Sequence, residues 1–370
     1  MSPALPSPLH GTRVPVLLLL ALLLLGCVDE IDLGQADALP EGIVVRGSLA
    51  VTSDGAVAEI NLERLFQFSS NLPNQVVSAR VLLENTEGQS LPIPYRNGAY
   101  RLDIGRNHPE MTIRPGVGYR LTIFTQDDEA YQSDYDVLQP ALPLESAGRS
   151  FVSLQTTSPA GTPVTVPGIN YTVTTPVRYP DGAPARLRYQ LSVDYALTDE
   201  PAQFPYTNND PKTCYVSQTL AGNRLFLLDG RQATAERVVD YPLATVRINH
   251  LYAEGNYVTI YQEALSPPAF NYFSQIASIA DQDRSIFGSP PGPVAGNVTD
   301  LNGLTPNVFG FFYTANRTLA RVSVSPEEAG NPNTYCPLPP PERPNAPPTS
   351  CDDCMRLDGA SLTPPPFWSF

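Results

Sequence analysis

From Arg186 to Tyr195 the side chains alternate strictly, with Leu187, Tyr189, Leu191, Val193 and Tyr195 on one side and Arg186, Arg188, Gln190, Ser192 and Asp194 on the other. A period of two marks a β-strand with one face in a core and the other in water, because a helix would scatter these apolar residues around its axis. Shorter runs of strand length recur at residues 43–49, 56–62, 76–83, 100–104, 118–123 and 131–138. Turn chemistry at Ser53-Asp54-Gly55, Glu87-Gly88, Asn97-Gly98 and Asp127-Asp128 separates them. Further candidates lie at 224–228, 244–252, 257–262, 308–313 and 319–324. One segment has helical spacing: Phe270, Phe273, Ile276, Ala277 and Ala280 follow Pro267-Pro268, which sits where a helix can begin. Charged residues make up only 16%, against about 25% in ordinary soluble domains, while the chain holds 25 glycines and 40 prolines. That composition favours short strands joined by turns.

The fold expected is mainly β. An immunoglobulin-like or transthyretin-like β-sandwich over residues 41–140 ends near Pro140 and Pro143, and a larger β-rich domain with one or two short helices follows over 141–336. Residues 337–370 read as a Pro-rich extended loop and a disulfide-stapled C-terminal tail.

The N-terminus has a different logic. Arg13 is the only fixed side-chain charge before an apolar run from Val14 to Leu25 that ends at Gly26-Cys27. About a dozen apolar residues are too few for a hydrocarbon core needing roughly 20, so the run is expected to be a signal peptide, residues 1–26, and not a membrane span. Leu24-Leu25-Gly26-Cys27 resembles the bacterial lipobox, which makes Cys27 the expected site of lipidation and the new N-terminus. Acyl chains on that cysteine meet the requirement for stable anchoring. Val28 stands where Asp would favour inner-membrane retention, and the acidic run 29–32 resembles export signals to the outer surface. Residues 27–40 are expected to be an acylated tether, and the outer membrane, on its periplasmic or cell-surface face, is the expected location.

Removing Cys27 to the membrane leaves Cys214, Cys336, Cys351 and Cys354, an even number in an oxidising compartment. Two structural disulfides are expected, with three pairings open. A redox reading of Cys351-Asp352-Asp353-Cys354 is disfavoured because two carboxylates would raise the thiol pKa, and zinc is disfavoured because only His108 and His250 remain as further ligands after the signal. No metal and no cofactor is expected. The net charge is −14 and becomes more negative when Arg13 is removed, and Lys212 is the sole lysine, so nucleic acid is not an expected partner.

No nucleotide-binding, zinc-protease or nucleophile-elbow motif is present. Two carboxylates brought together can hydrolyse glycosides, and Asp134 with Asp136 or Asp281 with Asp283 are candidates for such a site. Solvated charges on an acidic secreted protein are the simpler account, and calcium on the same clusters lacks any EF-hand-like spacing. Tyr252, Tyr257, Tyr261 and Tyr272 could form a binding platform, though aromatic residues build β-sandwich cores more often.

The order of several features resembles the envelope lipoproteins of Bacteroidota classed as domain of unknown function forty-two forty-nine. The resemblance rests on Cys27, Ile43-Val44-Val45-Arg46-Gly47-Ser48, Gly118-Tyr119-Arg120-Leu121, the helix 270–280, Gly296-Asn297-Val298, Val308-Phe309-Gly310-Phe311-Phe312, and the ending Cys351-Asp352-Asp353-Cys354 with Pro366-Phe367-Trp368. The Pro-rich insertion before Cys351 departs from the family pattern. The resemblance implies a β-rich lipoprotein, often encoded beside TonB-dependent outer-membrane receptors, and carries over no catalytic residue. The expectation is a non-enzymatic accessory lipoprotein that binds a ligand or partner such as a TonB-dependent receptor. The alternative is an envelope hydrolase using a carboxylate pair in the second domain.

Overall fold

A computed structural model describes residues 42–65, 75–201, 210–220, 224–282, 294–305, 307–334, 336 and 349–370. The signal peptide, Cys27, the tether, Asp283 and residues 337–348 of the Pro-rich loop lie outside the described residues. The first strands are β1 (Gly42–Val51), β2 (Gly55–Arg64), β3 (Arg80–Asn85), β4 (Ser90–Ile93), β5 (Tyr95–Arg96), β6 (Ala99–Gly105), β7 (Gly118–Phe124), β8 (Ala130–Ser133) and β9 (Asp136–Val137). There follow β10 (Ser146–Thr157), β11 (Pro163–Pro176), β12 (Arg186–Thr198), β13 (Thr213–Thr219), β14 (Phe226–Asp229), β15 (Arg237–Arg247) and β16 (Asn256–Leu265). The helix α1 (Pro267–Gln282) precedes β17 (Val298–Asp300), β18 (Asn307–Val324) and β19 (Ala360–Ser361). The mainly β, sandwich-like class expected from the period-two runs is the one observed.

Ten strands form one sheet in the order β19-β13-β12-β16-β18-β1-β2-β6-β5, with β14 also paired to β12. It crosses the boundary expected at residue 140, because β1 runs parallel to β18 with Gly42 opposite Asn307 and Val51 opposite Asn316. The alternation then assigns the faces. Ile43, Val45 and Leu49 of β1, Ala58, Ile60 and Leu62 of β2, and Phe312 of β18 turn inward onto a six-stranded sheet built around β7, β3 and β8, forming the first core. Leu187, Tyr189, Leu191 and Val193 of β12, Val258 and Ile260 of β16, and Val322 and Val324 of β18 turn the same way onto the three-stranded sheet β10-β11-β15, forming the second. One face of the long sheet is therefore covered twice, and β18 contributes to both cores.

Close approach at one glycine permits the parallel joint. Gly310 has φ +102°, and a Cβ placed there would lie 1.9 Å from the Val45 carbonyl oxygen, so only glycine fits. A buried carboxylate fixes the same region. Thr314 donates from its N–H (2.7 Å) and Oγ1 (3.0 Å) to Asp136 Oδ2, while Ser266 Oγ donates to Asp136 Oδ1. Ser266 is also the cap of α1, accepting from Ala269 N–H at 3.2 Å, with Pro267 and Pro268 in the first turn where missing donors cost nothing. The helix lays Ala269, Phe270 and Phe273 against Leu265, Phe311 and Ala315, on the face of the long sheet opposite the two cores.

Several sequence expectations are corrected. The run 76–83 becomes strand only from Arg80, and 131–138 breaks into β8 and β9 at Asp134-Tyr135. The run 244–252 shifts toward the N-terminus: β15 begins at Arg237, while residues 250–252 form a 3-10 turn capped by Asn249 Oδ1. The two runs at 308–313 and 319–324 are one strand, since the inward Thr314 and Asn316 between them find acceptors in Asp136 and the Gln139 carbonyl. On β12 the polar face is not uniformly wet. Arg188 and Asp194 are 3% and 8% exposed, covered respectively by α1 and by the Ser217 hydroxyl of β13.

Candidate functional site

The second face of the long sheet carries α1 over one part and the C-terminal aromatics over another. Phe367, Trp368 and Phe370 gather on Tyr257 with ring centroids 5.4, 5.4 and 5.2 Å away, and the Arg321 guanidinium lies 4.0 Å above the Phe367 ring. Between these covers, the outward residues form polar rows set by register. In the first row Arg188 of β12 stands opposite Glu263 of β16, which stands opposite Arg317 of β18. In the second, Tyr313 of β18, Ser48 of β1, Glu59 of β2 and Arg101 of β6 follow one another across four strands.

The first row is a buried ion array. Glu263 has no exposed surface. Arg188 donates from Nε (2.7 Å) to Glu263 Oε2, and Arg317 donates from Nε (3.0 Å) to Oε1. Arg188 also donates from Nη2 to the Tyr313 hydroxyl, and its guanidinium lies 4.0 Å from the Phe273 ring centroid and 4.8 Å from that of Tyr313. Burial alone would raise the Glu263 pKa, but Arg188 and Arg317 overcome it and hold the carboxyl below its ordinary value. Burial likewise opposes the charge on Arg188; Tyr313 and Glu263 outweigh it, and its pKa rises. Two cations and one anion leave a surplus of one positive charge, held in place by hydrogen bonds and aromatic faces.

A cavity of about 310 Å³ opens over this array, between the sheet and α1. Its apolar wall is aromatic: Tyr272 stacks on Phe311 at 4.5 Å, and Phe273 meets Tyr313 edge-on at 5.1 Å. Its polar wall includes Arg46, Asn61 and Gln190, together with Glu59, which Arg101 engages at 2.7 Å. Neighbouring cavities of about 420 and 190 Å³ share Gln190, and Ser48 with Glu59, respectively.

The candidates named from sequence are dispersed. Asp136 is buried in the joint described above and burial pushes its pKa up, while Asp134 beside it is exposed, so the two do not converge on a common space. Of the second pair, Asp283 lies outside the described residues. His108 accepts from the Glu110 N–H at Nδ1 (3.3 Å) in its turn; His250 opens the 3-10 turn with its ring edge-on to Tyr195, and burial lowers its pKa. Among the described residues no group of three or more His, Cys, Asp or Glu is placed to hold a metal. The four tyrosines divide: Tyr252 is in the second core, its hydroxyl 3.2 Å from that of Tyr171, whereas Tyr257, Tyr261 and Tyr272 lie on the second face.

The four cysteines pair as Cys214–Cys354 and Cys336–Cys351. Each half of the C-x-x-C therefore has a different partner. Beside the first bond, the buried Asp199 accepts from Lys212 Nζ at 2.7 Å, and Asp353 accepts from the same ammonium at 3.0 Å, so the only lysine clamps the tail to β13. Nothing local in the sequence marks Arg188 and Glu263 as site residues. The sole signal was an arginine and a glutamate at polar positions of two strands, and their register was not readable.

Fold and site together define a β-sandwich protein whose central sheet, among the described residues, is open over part of one face to a charged and aromatic cavity. The chain belongs to a family described as Domain of unknown function (DUF4249), whose family model matches residues 28–321. That match ends within β18, before the disulfide-stapled tail. No curated protein and no solved structure matches the chain. Among the described residues no helix is long and apolar enough to cross a membrane.

Proposed function

We propose that this protein is a non-enzymatic binding protein, held to the outer membrane by an acylated Cys27, that offers the open part of its long sheet to a ligand or partner beside a TonB-dependent transporter. The observation carrying this reading is the cavity over Arg188, whose guanidinium is paired with the buried Glu263. Its ionised groups are locked as charges by mutual pairing, which suits electrostatic recognition, whereas a proton shuttle needs a pKa near the working pH. The anchor rests on Leu24-Leu25-Gly26-Cys27 and on an apolar run too short to span a bilayer.

Two measurements test the reading. Labelled palmitate should enter the wild-type protein and not Cys27→Ser, and the variant should leave the membrane fraction; equal labelling would remove the anchor. Mild crosslinking of the natively lipidated protein should recover a TonB-dependent receptor, and crosslinks should map to β1, β2, β16 or β18 on the open face. Repeated recovery of the protein alone would refute the partnership.

A further inference from the structure

The cavity between α1 and the long sheet has a chemistry narrower than binding in general. Arg188, 3% exposed, uses Nε and Nη2 on Glu263 and Tyr313 while still forming part of the cavity wall. Among the described residues the side-chain amides of Asn61 and Gln190, on the same wall, have no hydrogen-bond partner. Donors from two strands, β12 and β2, thus converge on one space, and the anion of the array, Glu263, is engaged by two arginines. The one carboxylate on the wall, Glu59, is occupied by Arg101. Opposite the donors stand the rings of Tyr272, Phe273 and Phe311.

We propose that this cavity binds a small organic carboxylate with a flat apolar body, the carboxylate meeting Arg188 with Asn61 or Gln190 and the body lying against the aromatic wall. The inference rests on reading the open face as a binding surface, and it names the ligand class. A volume of about 310 Å³ is at the small end of ligand pockets, roughly 300–1,000 Å³. The surplus of one positive charge matches a monoanion. The acidic protein as a whole repels anions, but at physiological salt charges more than about 8 Å away are largely screened, so the array decides. A neutral amide of equal shape keeps one acceptor oxygen but turns an NH₂ group toward the guanidinium, donor against donor, and carries no charge to meet the surplus cation.

The test is titration of the full-length protein, purified in detergent, with 3-phenylpropionate, with 3-phenylpropionamide and with 3-phenylpropylammonium, followed by calorimetry. The acid should bind at least tenfold more tightly than the amide, and the ammonium should not bind. Arg188→Met should abolish the preference. Because Arg188 is buried and its loss could unfold the protein, Arg46→Gln and Asn61→Ala serve as exposed and half-exposed variants; each should weaken the acid several-fold, and Arg46→Gln should leave the amide unchanged. Equal binding of acid and amide overturns the inference, as does no binding of any probe. If crosslinking recovers a receptor but the acid does not bind, this inference fails and the binding-protein reading stands; selective acid binding without a receptor leaves the inference standing and removes the partnership.

Discussion

Replacing Glu263 by Gln should be among the most damaging single changes in the protein. The side chain has no exposed surface and accepts from Arg188 and Arg317 on both oxygens. Glutamine keeps one acceptor and turns an NH₂ group toward a guanidinium, so donor faces donor and no anion remains. The cost is not charged twice. Arg317, with its side chain 25% exposed, can swing into water, whereas Arg188, with its side chain 4% exposed and held against Phe273, cannot. One stranded buried cation costs about 3–5 kcal/mol. The double change Arg188→Met with Glu263→Gln removes the stranded charge and should regain at least about 2 kcal/mol of that loss, since apolar replacement of buried ion pairs is often neutral. Urea unfolding with the disulfides intact would measure both, as shifts in midpoint at constant slope. The pH dependence gives a separate check. A carboxyl held below its ordinary value contributes stability that is fully present above about 4.5 and is lost as the pH falls through the folded-state value; the Gln variant should lack that loss. A change under about 1 kcal/mol for the single variant, or no recovery in the double, would show that the array is not a desolvated ion pair and would refute the reasoning.

Asp136 should behave in the opposite sense: burial raises its pKa, so the wild type loses stability as the pH rises above about 3.8, and Asp136→Asn should flatten that decline in a melting-temperature series. The Cys214–Cys354 bond spans 140 residues and Cys336–Cys351 spans 15. On the chain-entropy account their removal should cost about 5 and 3 kcal/mol respectively, and the order of the two melting temperatures checks it. Gly310→Ala would drive a Cβ into the Val45 carbonyl and should open the β1–β18 pairing. Limited proteolysis of β1 should then be much faster than in the wild type, consistent with a loss of at least about 2 kcal/mol.

The strands that could be read from the chain are those whose alternation survives unaided, such as Leu187 to Tyr195 on β12 and the inward Ile43, Val45 and Leu49 on β1. The helix was readable because Pro267-Pro268 and the Phe270, Phe273, Ile276 spacing agree. β10 and β11 were not, because most of β10 and the first half of β11 are only partly covered and their composition of Ser, Thr, Gly and Pro resembles that of loops. β18 appeared broken because its interior polar residues are satisfied by Asp136 and Gln139, partners far away in sequence. An even number of cysteines, with the oxidising compartment expected from the N-terminus, points to two disulfides, yet nothing local chooses among three pairings.

The site was harder to read than the fold for a reason that lies in the register. A period-two pattern says which residues share a face of one strand, and it contains no information about which residue of the next strand stands opposite. Arg188, Glu263 and Arg317 are ordinary polar positions until β12, β16 and β18 are aligned, and a slip of one residue on β16 would put Gln262 in the place of Glu263 and turn the carboxylate toward the second core. What pins that alignment is the inward set: Val258 and Ile260 of β16, Leu191 and Val193 of β12, and Val322 and Val324 of β18 are packed in one core. The charge array on the open face is therefore positioned by apolar residues that never touch it. Because β18 also places Phe312 in the first core, both cores constrain the strand that supplies Tyr313 to the cavity and Arg317 to the ion array.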